Sequence, residues 1–242
     1  THQEVESIAA WLVENGVVPG DRVAFAMRNY PEFMLFYWAI ASIGATVVGM
    51  NALWVTPGMR YGLSDSKPKF LFLDEERYAR IKDEPELPGN PTLIAVRFEA
   101  PEGAVAYETL RDHGGPLPEV TIDPDSDACI FYTSGTTGNP KGATLTHFNI
   151  LNNGAQVGAG QNLTTEDRVC IPVPLYHCFG MVMGMLGVLT HGATAVLPSD
   201  AFEAETVLRV VENERCTSLY GVPTMFVGML EAPRFSTFDL SS

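Results

Sequence analysis

Cationic side chains are scarce in this 242-residue chain: 15 Lys plus Arg stand against 29 Asp plus Glu, a formal charge of −14. A nucleic-acid binder ordinarily carries a basic surplus that replaces phosphate counterions, so the composition argues against a nucleic-acid partner. Charge of either sign is also low, at 18% of residues, whereas 46% are hydrophobic. That balance argues against a disordered or coiled-coil protein and provides material for a core. Cysteine is sparse. Cys129, Cys170, Cys178 and Cys216 form no C-x-x-C pair and no regular spacing. A zinc cluster or disulfide scaffold is therefore not expected; free thiols in a reducing, cytoplasmic compartment are. The N-terminal Thr1-His2-Gln3-Glu4 lacks the basic start and apolar run of a signal peptide.

Unbroken membrane-length runs are absent too. Phe33 to Met59 and Val169 to Ser199 carry no formal charge, and each exceeds the roughly 20 residues that cross a bilayer. Gly44-Ala45-Thr46 interrupts the first and Gly192-Ala193-Thr194 the second, so each reads as a helix followed by a strand. No membrane span is expected.

What is present alternates between helix and strand. Val5, Ile8, Leu12 and Val13 share one helical face, ended by Asn15-Gly16. Val23 to Ala26 reads as a strand, Pro31 to Ile43 as a helix, and Thr46 to Gly49 as a strand. Thr56-Pro57 opens another helix before a strand at Phe70 to Leu73. Asp83 to Pro118 reads as irregular, with a strand at Leu93 to Val96. The order then recurs. Asp167-Arg168-Val169 repeats Asp21-Arg22-Val23, Tyr176 and Phe179 repeat Tyr30 and Phe33, and Gly192-Ala193-Thr194 repeats Gly44-Ala45-Thr46. A helix at Glu203 to Glu214 and a strand at Thr217 to Tyr220 complete the second set. The pattern predicts an α/β fold of two similar β-α-β halves, with mostly parallel sheets flanked by helices. The expected domains are 1–122, a connecting hairpin at 123–150, and 151–242.

The connecting segment carries the chemistry. Cys129 to Tyr132 and Ala143 to Leu145 read as strands flanking Thr133-Ser134-Gly135-Thr136-Thr137-Gly138-Asn139-Pro140-Lys141-Gly142. Glycines let backbone N–H groups approach an anion, hydroxyls add neutral donors, and Lys141 adds charge, so this loop suits a polyphosphate despite the acidic balance. It is not the usual nucleotide P-loop, because Pro140 stands where the second glycine belongs and a strand follows Lys141. It is not a nucleophile elbow either, since Tyr132 and Thr136 flank Ser134 where glycines are needed. Gly158-Ala159-Gly160 follows no strand and is discounted as a dinucleotide fingerprint.

Tyr132 to His147, YTSGTTGNPKGATLTH, closely resembles the signature loop of adenylate-forming (AMP-binding) enzymes: acyl-CoA synthetases, luciferases and peptide-synthetase adenylation domains. Pro19-Gly20-Asp21-Arg22-Val23, Gly44-Ala45-Thr46, Pro174-Leu175-Tyr176-His177 and Gly221-Val222-Pro223-Thr224 resemble further family landmarks, in family order. The resemblance implies that a carboxylate attacks the α-phosphate of ATP, releasing pyrophosphate and leaving an acyl-adenylate, and that coenzyme A then takes the acyl group. Two unit charges 4 Å apart repel by roughly 4 kcal/mol at surface-like dielectric, so the triphosphate must be neutralised. By resemblance, Mg2+ does so together with Thr133, Ser134, Gly135, Thr136, Thr137, Gly138 and Lys141. It also implies that His177 borders the acid carboxylate, and that Tyr220, Gly221, Val222 and Pro223 line the path of the acyl or pantetheine chain. Phe179, Gly180 and Met181 open a Met- and Gly-rich stretch that reads both as a tightly packed buried helix and as one wall of an apolar acyl tunnel. No catalytic residue and no metal ligand is assigned.

No Asp or Glu lies between Arg168 and Asp200, which disfavours an amino acid and favours an apolar acid. The extended match through Met225-Phe226 looks most like medium- and long-chain fatty acyl-CoA synthetases. Rival readings are an aryl or luciferase-type ligase and an inactive nucleotide-binding or structural module. Family members continue with a Tyr-Gly-x-Thr-Glu type motif, a ribose-binding Asp, a hinge and a small mobile domain carrying an activating Lys. None is assignable here. The expectation is thus the N-terminal part of a larger synthetase, nearly inactive by itself. Apolar surface left where the next part packs would favour a homo-oligomer.

Overall fold

In the computed structural model, which describes residues 1–133 and 138–242, the chain divides into two units. The first comprises Thr1–Met27 and Glu32–Phe148, the second Arg28–Pro31 and Asn149–Ser242. The first unit opens with α1 (His2–Glu14), β1 (Arg22–Ala26), α2 (Pro31–Ser42) and β2 (Thr46–Gly49). It continues with α3 (Thr56–Ser66), β3 (Phe70–Leu73), α4 (Glu75–Ala79), β4 (Thr92–Ala95), β5 (Val105–Ala106) and α5 (Tyr107–Arg111). The hairpin β6 (Asp127–Thr133) and β7 (Lys141–Thr146) closes the sheet, whose order is β5-β4-β3-β1-β2-β6-β7. All neighbours are parallel except β6 and β7.

Alternation along the central strands sends side chains to two buried faces. Phe25 and Phe72 turn toward α2, where Phe25 meets Phe33 edge-on at 5.0 Å and Phe36 lies 4.3 Å from Phe72. Ala24, Ala26, Leu71 and Leu73 turn the other way and pack with Met59 and Leu63 of α3. This double cover explains why β1, β2 and β3 read as continuous apolar runs.

The second unit holds most of α6 (His147–Gly160), then β8 (Arg168–Cys170), a π-helix at Phe179–Leu186, α7 (Gly187–Leu189) and β9 (Thr194–Val196). After these come α8 (Ala204–Glu214), β10 (Ser218–Leu219) and α9 (Pro223–Leu230). Its sheet is parallel, in the order β10-β8-β9. Cys170, Val196, Val207, Leu208, Val211, Cys216 and Met229 form its core. All four cysteines are free thiols.

The repeat read in the sequence recurs in the hydrogen bonding. Asp21 accepts from Thr46 N–H through its carbonyl (2.7 Å) and from Val18 N–H through its carboxylate (3.0 Å). Asp167 does the same with Thr194 (2.8 Å) and Thr164 (2.7 Å). Hydrogen bonds to its carboxylate, from Thr217 first and then from Thr164, hold the Asp167 carboxyl below the ordinary range. The carbonyls of Arg22 and Arg168 then accept from Lys69 (2.8 Å) and Thr217 (2.9 Å). Gly44 and Gly192 both turn at positive φ, 71° and 67°, where a side chain would be strained. Thus β3-β1-β2 and β10-β8-β9 are the same arrangement built twice. Among the described residues no helix is long and apolar enough to cross a membrane.

Candidate functional site

Of the predicted phosphate-loop residues, Thr133, Gly138 and Lys141 are described; Ser134, Gly135, Thr136 and Thr137 lie outside the described residues. Thr133 and Lys141 are register partners at the open end of the β6–β7 ladder, and both are exposed. The Thr133 hydroxyl points at the Lys141 carbonyl, 3.4 Å away. Gly138 turns at φ 101°. The ladder shifts register between Asp127 and Cys129 but is unbroken from Cys129 to Thr133, so Lys141 stands at the end of a regular antiparallel stretch.

The stems of this loop are held by α3, which the sequence reading did not connect to it. Tyr61 Oη donates to the Pro140 carbonyl (2.9 Å), just before Lys141. One turn further along α3, Asp65 Oδ2 accepts from Tyr132 Oη (2.7 Å), just before Thr133. Trp54 meets the Tyr132 ring edge-on at 5.1 Å. Burial, then the Asp65 carboxylate, push the Tyr132 phenol far above its ordinary range, so it stays protonated and donates. A side chain at Gly142 would strike Ile130, 2.8 Å from its Cβ, so glycine lets β7 lie close against β6. The available signal was the four-residue spacing of Tyr61 and Asp65, which puts them on one helical face.

The segment preceding α3 is fixed by cations. Arg77 of α4 is buried, donates through Nη1 to both Asp74 oxygens (3.0 and 2.8 Å), and through Nε to the Ala52 carbonyl (2.9 Å). Its Nη2 lies 2.9 Å from Glu76 Oε2, an ion-pair contact too poorly angled to be a hydrogen bond. Arg80 Nη1 donates to the carbonyls of Ala52 (2.9 Å) and Trp54 (2.6 Å).

The predicted acid-side residues belong to the second unit. Asn29 fixes the segment before His177: its amide donates to the Val173 carbonyl (2.8 Å), and its Oδ1 accepts from Leu175 N–H (2.9 Å). His177 is exposed, and its Nδ1 accepts from Phe179 N–H at 3.2 Å. In the neutral ring the proton therefore sits on Nε2. The rings of Phe179 and Tyr220 lie 5.7 Å apart, and Tyr220 Oη donates to Gln161 Oε1 at 2.6 Å. Burial raises the Tyr220 phenol above its ordinary range. Met181 is fully buried, whereas Gly221, Val222 and Pro223, where β10 gives way to α9, are at least partly exposed.

At Gly180 a Cβ would overlap the Pro174 carbonyl. Gly180→Ala is expected to cost about 1–3 kcal/mol, as overpacking does. Thermal melting of the intact protein checks this, and an unchanged midpoint removes the close approach as a constraint.

The fold is a mostly parallel α/β sheet closed by an antiparallel hairpin, and the chain belongs to the AMP-binding enzyme family, which matches residues 1–242. It is 35% identical to the acyl-CoA ligase sidI of Aspergillus fumigatus over 258 residues, covering 99% of this chain and 44% of that one. To the human mitochondrial medium-chain acyl-CoA ligase ACSF2 it is 33% identical over 271 residues, covering 99% and 44%. The chain thus spans under half the length of these curated relatives. Its fold matches the crystal structure of the anthranilate CoA ligase AuaEII in complex with anthranoyl-AMP, with a TM-score of 0.93, 24% identity, and coverage of 99% of this chain and 47% of that one.

Proposed function

We propose that this chain forms the ATP- and acid-binding part of an AMP-forming acid–CoA ligase acting on an apolar, fatty carboxylic acid. The observation that carries the reading is the β6–β7 hairpin, with Thr133 and Lys141 at its mouth, in a chain that belongs throughout to the AMP-binding enzymes. The acid carboxylate attacks the α-phosphorus of ATP, the bond to the β-phosphate oxygen breaks, and pyrophosphate leaves. The CoA thiol then attacks the acyl carbonyl, losing its proton, and AMP departs with the bonding pair. Lys141 and the loop residues Thr133 to Gly138 bind the β- and γ-phosphates and stabilise the charge that collects on pyrophosphate. Mg2+ would enter bound to the triphosphate oxygens and offset their charge; no residue of this chain is assigned to it. We assign His177 to the carboxylate, and Phe179, Gly180, Met181, Tyr220, Gly221, Val222 and Pro223 to the path of the chain.

The uncharged stretch Val169 to Ser199 supports an apolar acid, as do relatives named acyl-CoA ligase and medium-chain acyl-CoA ligase. The free thiols support a reducing, cytoplasmic setting. Acid-dependent pyrophosphate release by the intact protein tests the reading. Turnover is expected with octanoate and longer acids; turnover with benzoates and none with octanoate overturns the fatty assignment in favour of an aryl-acid ligase.

A further inference from the structure

Among the described residues the strand that carries Lys141 is an edge strand: β7 pairs with β6 alone and is largely exposed along its length. An edge hairpin leading into a Gly/Ser/Thr loop has little packing of its own to fix the loop mouth. Two side chains of α3 reach it, one on each stem, beside the Trp54 ring on Tyr132 and a longer bond from Tyr132 Oη to the Gly62 carbonyl (3.3 Å). Tyr61 holds the outgoing stem at Pro140 and Asp65 holds the incoming stem at Tyr132. We propose that Tyr61 and Asp65 are positioning residues for the phosphate loop, pinning its two stems so that Thr133 and Lys141 meet a polyphosphate without first having to be ordered. The proposal rests on the ATP-binding reading of the hairpin and adds two residues outside it.

Pre-ordering lowers the entropy that ligand binding must overcome, so its loss weakens the interaction with the anion and not with the acid. The sign at Asp65 separates this role from simple electrostatics. A carboxylate beside a polyanion site repels the ligand, so if its charge alone mattered, removing it would tighten ATP. Positioning predicts the opposite.

The test is steady-state kinetics and ATP–pyrophosphate exchange on the intact protein. Tyr61→Phe and Asp65→Ala are expected to raise the KM for ATP about five- to tenfold, the effect of one lost orienting hydrogen bond, with the KM for the acid within about twofold of its original value. Asp65→Asn, which keeps an acceptor for Tyr132, is expected to restore near-normal ATP kinetics. Should Asp65→Ala fail to fold, Tyr61→Phe, which keeps the ring in place, carries the test. An unchanged KM for ATP, equal shifts for both substrates, or a lowered KM in both Asp65 variants overturns the proposal. If Lys141→Ala abolishes exchange while Tyr61→Phe and Asp65→Ala do not alter it, positioning alone falls. If the unaltered protein catalyses no exchange with any acid, the functional reading falls and the proposal with it.

Discussion

Arg77→Ala, made with Asp74 left in place, destabilises the fold by about 3–5 kcal/mol, the usual cost of stranding one member of a buried ion pair. The Arg77 side chain is 1% exposed and that of Asp74 5%, so water cannot replace the guanidinium. Asp74 also caps α4, accepting from Arg77 N–H at 3.0 Å, which ties the charge to the start of the helix. The Ala52 carbonyl loses one of its two arginine donors. Urea unfolding of the intact protein measures the loss. Replacing both partners together, Arg77→Met with Asp74→Leu, is expected to recover most of it, since no charge is then left buried. A loss below about 1 kcal/mol for Arg77→Ala would mean that the pair is not the anchor its burial indicates.

The second large effect is on activity. Lys141→Ala in the intact protein is expected to lower kcat/KM for ATP about a hundredfold, the scale of one charge-assisted hydrogen bond to phosphate in a net acidic molecule. Because Lys141 is exposed, its melting temperature should stay close to that of the unaltered protein. ATP–pyrophosphate exchange reads the effect directly. A loss of less than about threefold would remove Lys141 from the phosphate site.

Much of the frame was legible because its strands are buried on both faces. The runs Thr46–Gly49 and Phe70–Leu73, and the helix opened by Thr56-Pro57, stand where the sequence puts them. Glu203, read as the first residue of a helix, is the cap of α8 and accepts from Thr206 N–H. Three helices were not legible. In α4 the buried residue is an arginine, so no apolar stripe announces it. In the segment from Asp83 to Pro118, read as irregular, α5 buries only Tyr107 and Leu110. Helix α6 is rich in Asn and Gly, poor helix formers. A Cβ at Gly154 would lie 2.7 Å from the Leu186 Cβ and one at Gly158 would lie 2.7 Å from the Gly187 carbonyl oxygen, so both allow close packing, whereas one at Gly160 meets nothing within 4 Å. The predicted helix after His177 is a π-helix, a form used sparingly and often near function. For the phosphate loop, its composition was readable because it is contiguous. Its supports on α3 were not, because they are tertiary neighbours tens of residues away in the chain.

The double anchorage of the hairpin also bears on transplanting it. Grafted alone into another sheet, the segment from Tyr132 to Lys141 would arrive with its donors but without Tyr61, Asp65 and Trp54. The smallest portable piece is therefore discontinuous in the chain: the hairpin together with α3 and the tryptophan before it. A chimera that exchanges the loop and keeps the host's own third helix would inherit the ligand-binding groups without the lattice that keeps them in register.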